Sequence, residues 1–239
     1  VELLLYIFTF RETLYRPNAS KFALKRVPGS SLSLGTFLSP LLFLASPTTA
    51  ICALTYGIGF GFTSVGMSVI VPDAFSRFYG FDATQQGLVF IAVLVGVVIG
   101  EQAAGPVSDW VMSHAPDTPP PKFERRLIAL FPGYVLIPSG MVVFGVCLEN
   151  QTHWIFPCLG LGIAIGGAQI LSTVFITYAV DCYSKESGPL VVGQFVNIVR
   201  QIISFTVPFW SPVLSERIGF ARGFGVEAGI AGGFFVLVS

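Results

Sequence analysis

Long apolar runs, broken at a few places by polar and basic clusters, organise this chain. A helix needs about twenty predominantly apolar residues to cross a bilayer. Six runs meet that length, at residues 48–71, 85–104, 127–148, 154–180, 190–213 and 218–238. A shorter run, residues 1–10, precedes them. It starts at Val1 instead of methionine, so the chain is expected to begin partway through a helix. The last run reaches the C-terminus with no polar tail, as a trimmed end would. Residues 11–26 are basic and polar, and residues 32–44 read as a short amphipathic piece lying along the membrane interface, closed by Ser46-Pro47. The expected organisation is the end of a preceding membrane helix (1–10), a basic cytoplasmic linker with the amphipathic segment (11–47) and a six-helix transmembrane bundle (48–239).

Composition agrees with the pattern. Of the 239 residues, 53% are hydrophobic and 11% charged, with a mean hydropathy of +0.77. Water-soluble domains carry about a quarter charged residues, so the bilayer is the expected partner of most of this surface. Thirteen basic residues balance thirteen acidic ones, which argues against nucleic acid as a ligand.

The placement of charge is more informative than its sum. Nine lysines and arginines fall on one side of the expected spans: Arg11, Arg16, Lys21, Lys25, Arg26, Lys122, Arg125, Arg126 and Lys185. Three, Arg77, Arg217 and Arg222, fall on the other. Basic loops stay in the cytoplasm, so both ends of the bundle are expected there. Of the two glycosylation sequons, Asn150 then faces outward and Asn18 inward. The four cysteines have no disulfide or zinc spacing and read as thiols buried among helices, although Cys147 and Cys158 flank one short loop.

Glycine is concentrated inside the runs, at Gly57, Gly59 and Gly61, at Gly96 and Gly100, from Gly160 to Gly167, and at Gly225, Gly229 and Gly233. Small residues four apart let helix backbones approach closely, and ordinary bundle packing accounts for most of them. The first and fourth spans are both glycine-rich with a polar residue nearby, Tyr56 and Gln169, which fits two three-helix repeats. The stretch Gly105-Pro106-Val107-Ser108-Asp109-Trp110 closes the second run, where a helix packed on small residues leaves the membrane with an acid at its exit.

Several segments resemble a known family. Phe10-Arg11-Glu12-Thr13-Leu14-Tyr15-Arg16-Pro17 resembles the segment that follows the sixth span in fungal major facilitator superfamily proteins, with Arg11 where proline is common. Residues 54–61 resemble their seventh span, and Gly105 to Trp110 resembles the second copy of their G-x-x-x-D motif, between spans eight and nine. Residues 176–183 are similar to the end of span ten, and residues 197–205 to span eleven. The resemblance covers nearly the whole chain in order. It implies the C-terminal six helices of a twelve-helix secondary transporter, closest to the proton-coupled multidrug and polyamine-type antiporters. It also implies a plasma-membrane location, a small-molecule substrate held between two halves, and a missing N-terminal six-helix half as partner. The alternative is a truncated, non-transporting membrane fragment or an interaction partner.

Candidate residues follow. Glu101, Gly105 and Asp109 share one helical stripe. Asp109, with Arg125 or Arg126 and with Asp181 at the inner end of the fourth span, is expected to close a cytoplasmic gate; solvated loop charges are the plain alternative. Arg200 lies deep in the fifth span, where an arginine costs on the order of 3 kcal/mol. It either lines the substrate path beside Asn197, or forms a structural ion pair or snorkels toward the cytoplasm; Glu101 is the acid nearest in depth. Glu101 and Glu227 are candidate proton carriers, and Tyr56, Gln169 and Tyr178 candidate cavity groups. Catalysis is not expected. His114 and His153 have no metal-ligand spacing, and nucleophile elbow, phosphate loop and dinucleotide fingerprint are all missing, so no metal or cofactor is implied.

Overall fold

The computed structural model describes residues 47–113, 128–183 and 189–238, and all of them fall in one unit. Every described element is helical, and no strand occurs among the described residues. Helix α1 (Pro47–Phe60) passes through a π-helical segment (Gly61–Gly66) into α2 (Met67–Tyr79). Then come α3 (Ala83–Ser113), α4 (Phe131–Glu149), α5 (Ile155–Tyr183), α6 (Pro189–Ile218) and α7 (Phe220–Val238). Five stretches are long and apolar enough to cross a membrane: Thr49–Tyr79, Ala83–Ser113, Ile128–Glu149, Ile155–Tyr178 and Val191–Ile218. The sixth expected span corresponds to α7, 19 residues long.

Several helices outrun the apolar runs that predicted them: α6 reaches Ile218 instead of stopping at Val213, and two others extend further still. The first continues past Val71 to Tyr79, because Ala74 and Phe75 are fully buried while Asp73, Ser76 and Arg77 turn outward. It stops at Gly80, whose φ of 66° is the left-handed cap that glycine adopts without strain. A capping box then starts α3: Gln85 N donates to Asp82 Oδ1 at 2.9 Å, and Asp82 N donates to Gln85 Oε1 at 3.1 Å. Helix α3 does not end near Ala104. It runs through Pro106 and Asp109 to Ser113, so the acidic motif is the last part of a helix and not a loop.

Helix α5 is the wedge of the bundle, because glycine opens it on two faces. Toward α3, a Cβ on Gly162 would stand 3.2 Å from Ala92 O, and one on Gly166 would stand 3.1 Å from Gly96 O. Toward α4, a Cβ on Gly160 would stand 2.7 Å from Phe144 N and 2.9 Å from Gly140 O. Backbones this close replace side-chain interdigitation with direct helix contact, the packing lipid-embedded helices favour. The stripe Gly225, Gly229 and Gly233 behaves differently, since nothing lies within 4 Å of a Cβ at any of them. Helix α7 instead turns Phe224, Glu227, Ala228, Ala231 and Phe235 inward.

Large apolar side chains also cover the outside. On α3, Leu88, Ile91, Leu94, Val98 and Ile99 are all exposed. Such a face is unfavourable in water and neutral against lipid or another apolar helix. Cys52 and Cys158 are buried and Cys147 half-buried, none of them in a disulfide.

Candidate functional site

Three polar clusters sit within the apolar bundle. The first is built around Arg200 on α6. At Gly57, a Cβ would stand 3.3 Å from Arg200 Cα, so the missing side chain lets α1 lie directly against this turn of α6. The guanidinium then reaches the aromatic residues of α1. Its Cζ lies 4.3 Å from the Phe60 ring centroid and 5.9 Å from that of Tyr56, a cation–π arrangement. Arg200 Nη2 donates to Asn197 Oδ1 at 2.6 Å, and Nη1 donates to the Tyr56 hydroxyl at 3.4 Å. Arg200 Nε is buried and has no acceptor.

Tyr56 ties this cluster to α5. Its hydroxyl is 2.9 Å from Ser172 Oγ, and its ring stacks on Phe175 with centroids 6.2 Å apart and planes 9° from parallel. The phenol is 2% exposed, so Tyr56 is a buried strut behind Arg200 more than a lining group. Beyond Arg200, Gln201, Ser204, Phe205, Pro208 and Phe209 of α6, with Val65 of the π-helical segment, border an open groove of about 490 Å³.

The second cluster joins α3 to α5. Gln169 Nε2 donates to Glu101 Oε2 at 2.8 Å, and Thr173 Oγ1 donates to the same oxygen at 3.2 Å. Gly100 permits this, because a Cβ there would meet Gln169 Cβ at 3.0 Å. The expected match between Glu101 and Arg200 is therefore corrected. Glu101 is held by two neutral donors on α5, and the partners of Arg200 among the described residues are an amide, a phenol and two rings.

The third cluster lies where α6 turns into α7. Gly219, with φ of 94°, makes the turn. Ser215 and Gly223 stand four residues to either side, and a Cβ on Gly223 would meet Ser215 Oγ at 2.8 Å. One turn further in, Ser211 faces Glu227. Glu227 is 0% exposed, and neither carboxyl oxygen closes a hydrogen bond; the buried Ser211 and Ser215 hydroxyls also lack partners. A buried, unpartnered carboxyl group is costly, so this is the most demanding acid in the described bundle.

Of the expected gate, Gly105 and Asp109 lie four residues apart in α3, Asp109 exposed and Gly105 with nothing within 4 Å of a Cβ. Arg125 and Arg126 lie outside the described residues. Asp181 falls within α5, with its side chain outside the described set. The sequence reading missed Phe60, Ser172, Thr173 and Phe175. Phe60 follows Tyr56 by one helical turn, and Ser172 and Thr173 follow Gln169 by one turn, so helical spacing from the selected residues was the available signal. Ser211 and Ser215 were missed too, although they mirror Glu227 and Gly223 about Gly219.

No family model matches the chain, and no solved structure matches it. Curated fungal proteins do. The MFS-type transporter oryF of Aspergillus oryzae is 24% identical over 187 residues, covering 77% of this chain and 38% of its own length. The MFS transporter cpaT of Aspergillus oryzae is 30% identical over 186 residues, covering 77% and 36%. The probable efflux pump mfs2 of Aspergillus flavus is 26% identical over 189 residues, covering 77% and 44%. The chain thus spans well under half the length of the curated relatives it matches. Transporters are a non-enzyme class, in keeping with the lack of catalytic signatures. This multi-pass helical chain is a homologue of the fungal MFS-type transporters.

Proposed function

We propose that this chain is the C-terminal half of a secondary transporter that moves small organic solutes across a membrane by alternating access. In this reading α7 is the sixth span, and the six spans form two three-helix repeats. A missing six-helix half completes a central site between the two, the ends of the bundle face the cytoplasm, and the membrane is the plasma membrane. The observation that carries the reading is Arg200, a charge placed inside an apolar bundle and held half-exposed by Asn197, Tyr56 and Phe60. A charge in a span faces the bundle interior or water and is read first as marking a solute or ion path, because its insertion cost is met only by such surroundings. Gln169 belongs to the same polar interior, holding Glu101 on the α3 side.

Coupling to protons falls to the two carboxyl groups within the spans. Glu101, exposed and hydrogen-bonded, is the accessible one; Glu227, buried without a hydrogen-bond partner, must gain contact with water or a donor for its proton to move. Asp109, Gly105, Arg125, Arg126 and Asp181 form the cytoplasmic gate.

The test is solute flux in proteoliposomes holding the intact transporter, with and without an imposed proton gradient. The gradient should drive accumulation, a protonophore should abolish it, and Glu227→Gln should leave solute exchange while removing the gradient's effect. Flux indifferent to the gradient in the parent protein would overturn proton coupling, and gradient-driven accumulation by Glu227→Gln would remove that residue from the carrier role.

A further inference from the structure

The charge of Arg200, which has no acidic partner among the described residues, points to the class of solute. A guanidinium offers five N–H donors, and only two acceptors, Asn197 Oδ1 and the Tyr56 hydroxyl, are engaged among the described residues. Three N–H groups therefore remain; Nε–H is buried, and the two that a solute can meet are one on Nη1 and one on Nη2. The two rings supply attraction without neutralising anything, since cation–π contacts leave the full positive charge in place. Asn197 presents its oxygen to Arg200, which leaves its NH2 as a further donor on an exposed side chain. The half-exposed end of this cluster is thus rich in donors, positively charged and walled by aromatic carbon.

We infer that this is a recognition site for an organic anion, a carboxylate or sulfonate carried on an apolar, ring-bearing body. A charge-assisted, two-point hydrogen bond to the guanidinium uses the unmatched donors, the Asn197 amide adds a third, and Phe60 flanks the apolar part. An amine or polyamine would meet a like charge at the same place. The inference rests on the transporter reading above and names its solute class. Glu101 forms no ion pair with the guanidinium among the described residues; its Oε2 accepts from Gln169 and Thr173 of α5.

The experiment compares binding of naphthalene-2-sulfonate, its neutral sulfonamide and a naphthyl-trimethylammonium to the purified intact transporter in detergent, for the parent protein, Arg200→Gln, Arg200→Lys and the control Arg222→Gln. Arg222 is exposed on α7. The parent and Arg222→Gln should bind the sulfonate at least tenfold more tightly than the sulfonamide and the ammonium. Arg200→Gln should lose that preference while still binding the sulfonamide, which also reports that it has folded. Arg200→Lys should keep a reduced preference, its charge present without the fork. Equal affinity for sulfonate and sulfonamide in the parent overturns the inference, as does an undiminished preference in Arg200→Gln. Should Arg200→Gln not fold, the parent charge series together with Arg200→Lys decides by the same criteria. The two readings fail separately: anion-selective binding without any flux would sink the transport reading, and flux without anion preference would sink this one.

Discussion

Gly160→Ala tests one of the close backbone contacts between α4 and α5. The added Cβ would stand 2.7 Å from Phe144 N, 2.9 Å from Gly140 O and 3.0 Å from Phe144 Cα. All three are backbone atoms, so no side chain can rotate away. Ordinary contact begins at 3.4 Å, so α4 and α5 must separate by about 0.7 Å (3.4 less 2.7) along this direction. Overpacking of that kind costs ~1–3 kcal/mol. Alanine also gains helix propensity over glycine, on the order of 1 kcal/mol, and that gain must be removed from the comparison. Gly229→Ala does so, because Gly229 lies inside α7 with nothing within 4 Å of a Cβ. Unfolding of the intact transporter by SDS titration in mixed micelles should place Gly160→Ala ~1–3 kcal/mol below Gly229→Ala. If the two differ by less than about 0.5 kcal/mol, the overpacking argument and the role assigned to α5 are wrong.

Two further variants address the ends of helices. Glu149→Ala removes the carboxylate oxygen that accepts from Ala221 N at 2.7 Å, leaving the first turn of α7 uncapped; the same titration should show a loss of ~1 kcal/mol, with Glu149→Gln intermediate. Asp109→Asn keeps the shape of the exposed acid on α3 but removes its charge; labelling from the cytoplasmic side of membranes holding the intact transporter should rise, and unchanged labelling and flux would show that Asp109 is only a solvated charge.

The all-helical fold and the order of its helices were legible, five of the six expected runs forming helices long and apolar enough to cross a membrane, because outward-facing and core-facing residues are both apolar here and each run reads as one long stretch. Their ends were less legible for the same reason. Hydropathy falls at Asp73 and again past Ala104, but the backbone continues as helix to Tyr79 and Ser113, since a helix leaving the membrane needs no change of conformation. Azimuth was the other loss. Depth alone placed Glu101 beside Arg200, yet Glu101 points toward Gln169 and Thr173. The glycines at 96 and 100 and at 162 and 166 mark contacts and those at 225, 229 and 233 do not, although all are spaced four apart. Arg200 itself was legible because a charge in an apolar run is rare. Its aromatic surroundings were not, because Phe60 and Phe175 look like every other phenylalanine in the chain.

If Arg200 lines a solute path, its turn of α6 must meet water from one side of the membrane at a time. Asn197→Cys in the intact transporter places a thiol on that exposed turn, and its labelling by a membrane-impermeant maleimide from each side, corrected for the parent's own cysteines, measures it directly. Labelling from both sides of the population, slowed by an aromatic sulfonate, is the predicted result. A thiol that reacts only with lipid-soluble reagents, or that the sulfonate never protects, would contradict it.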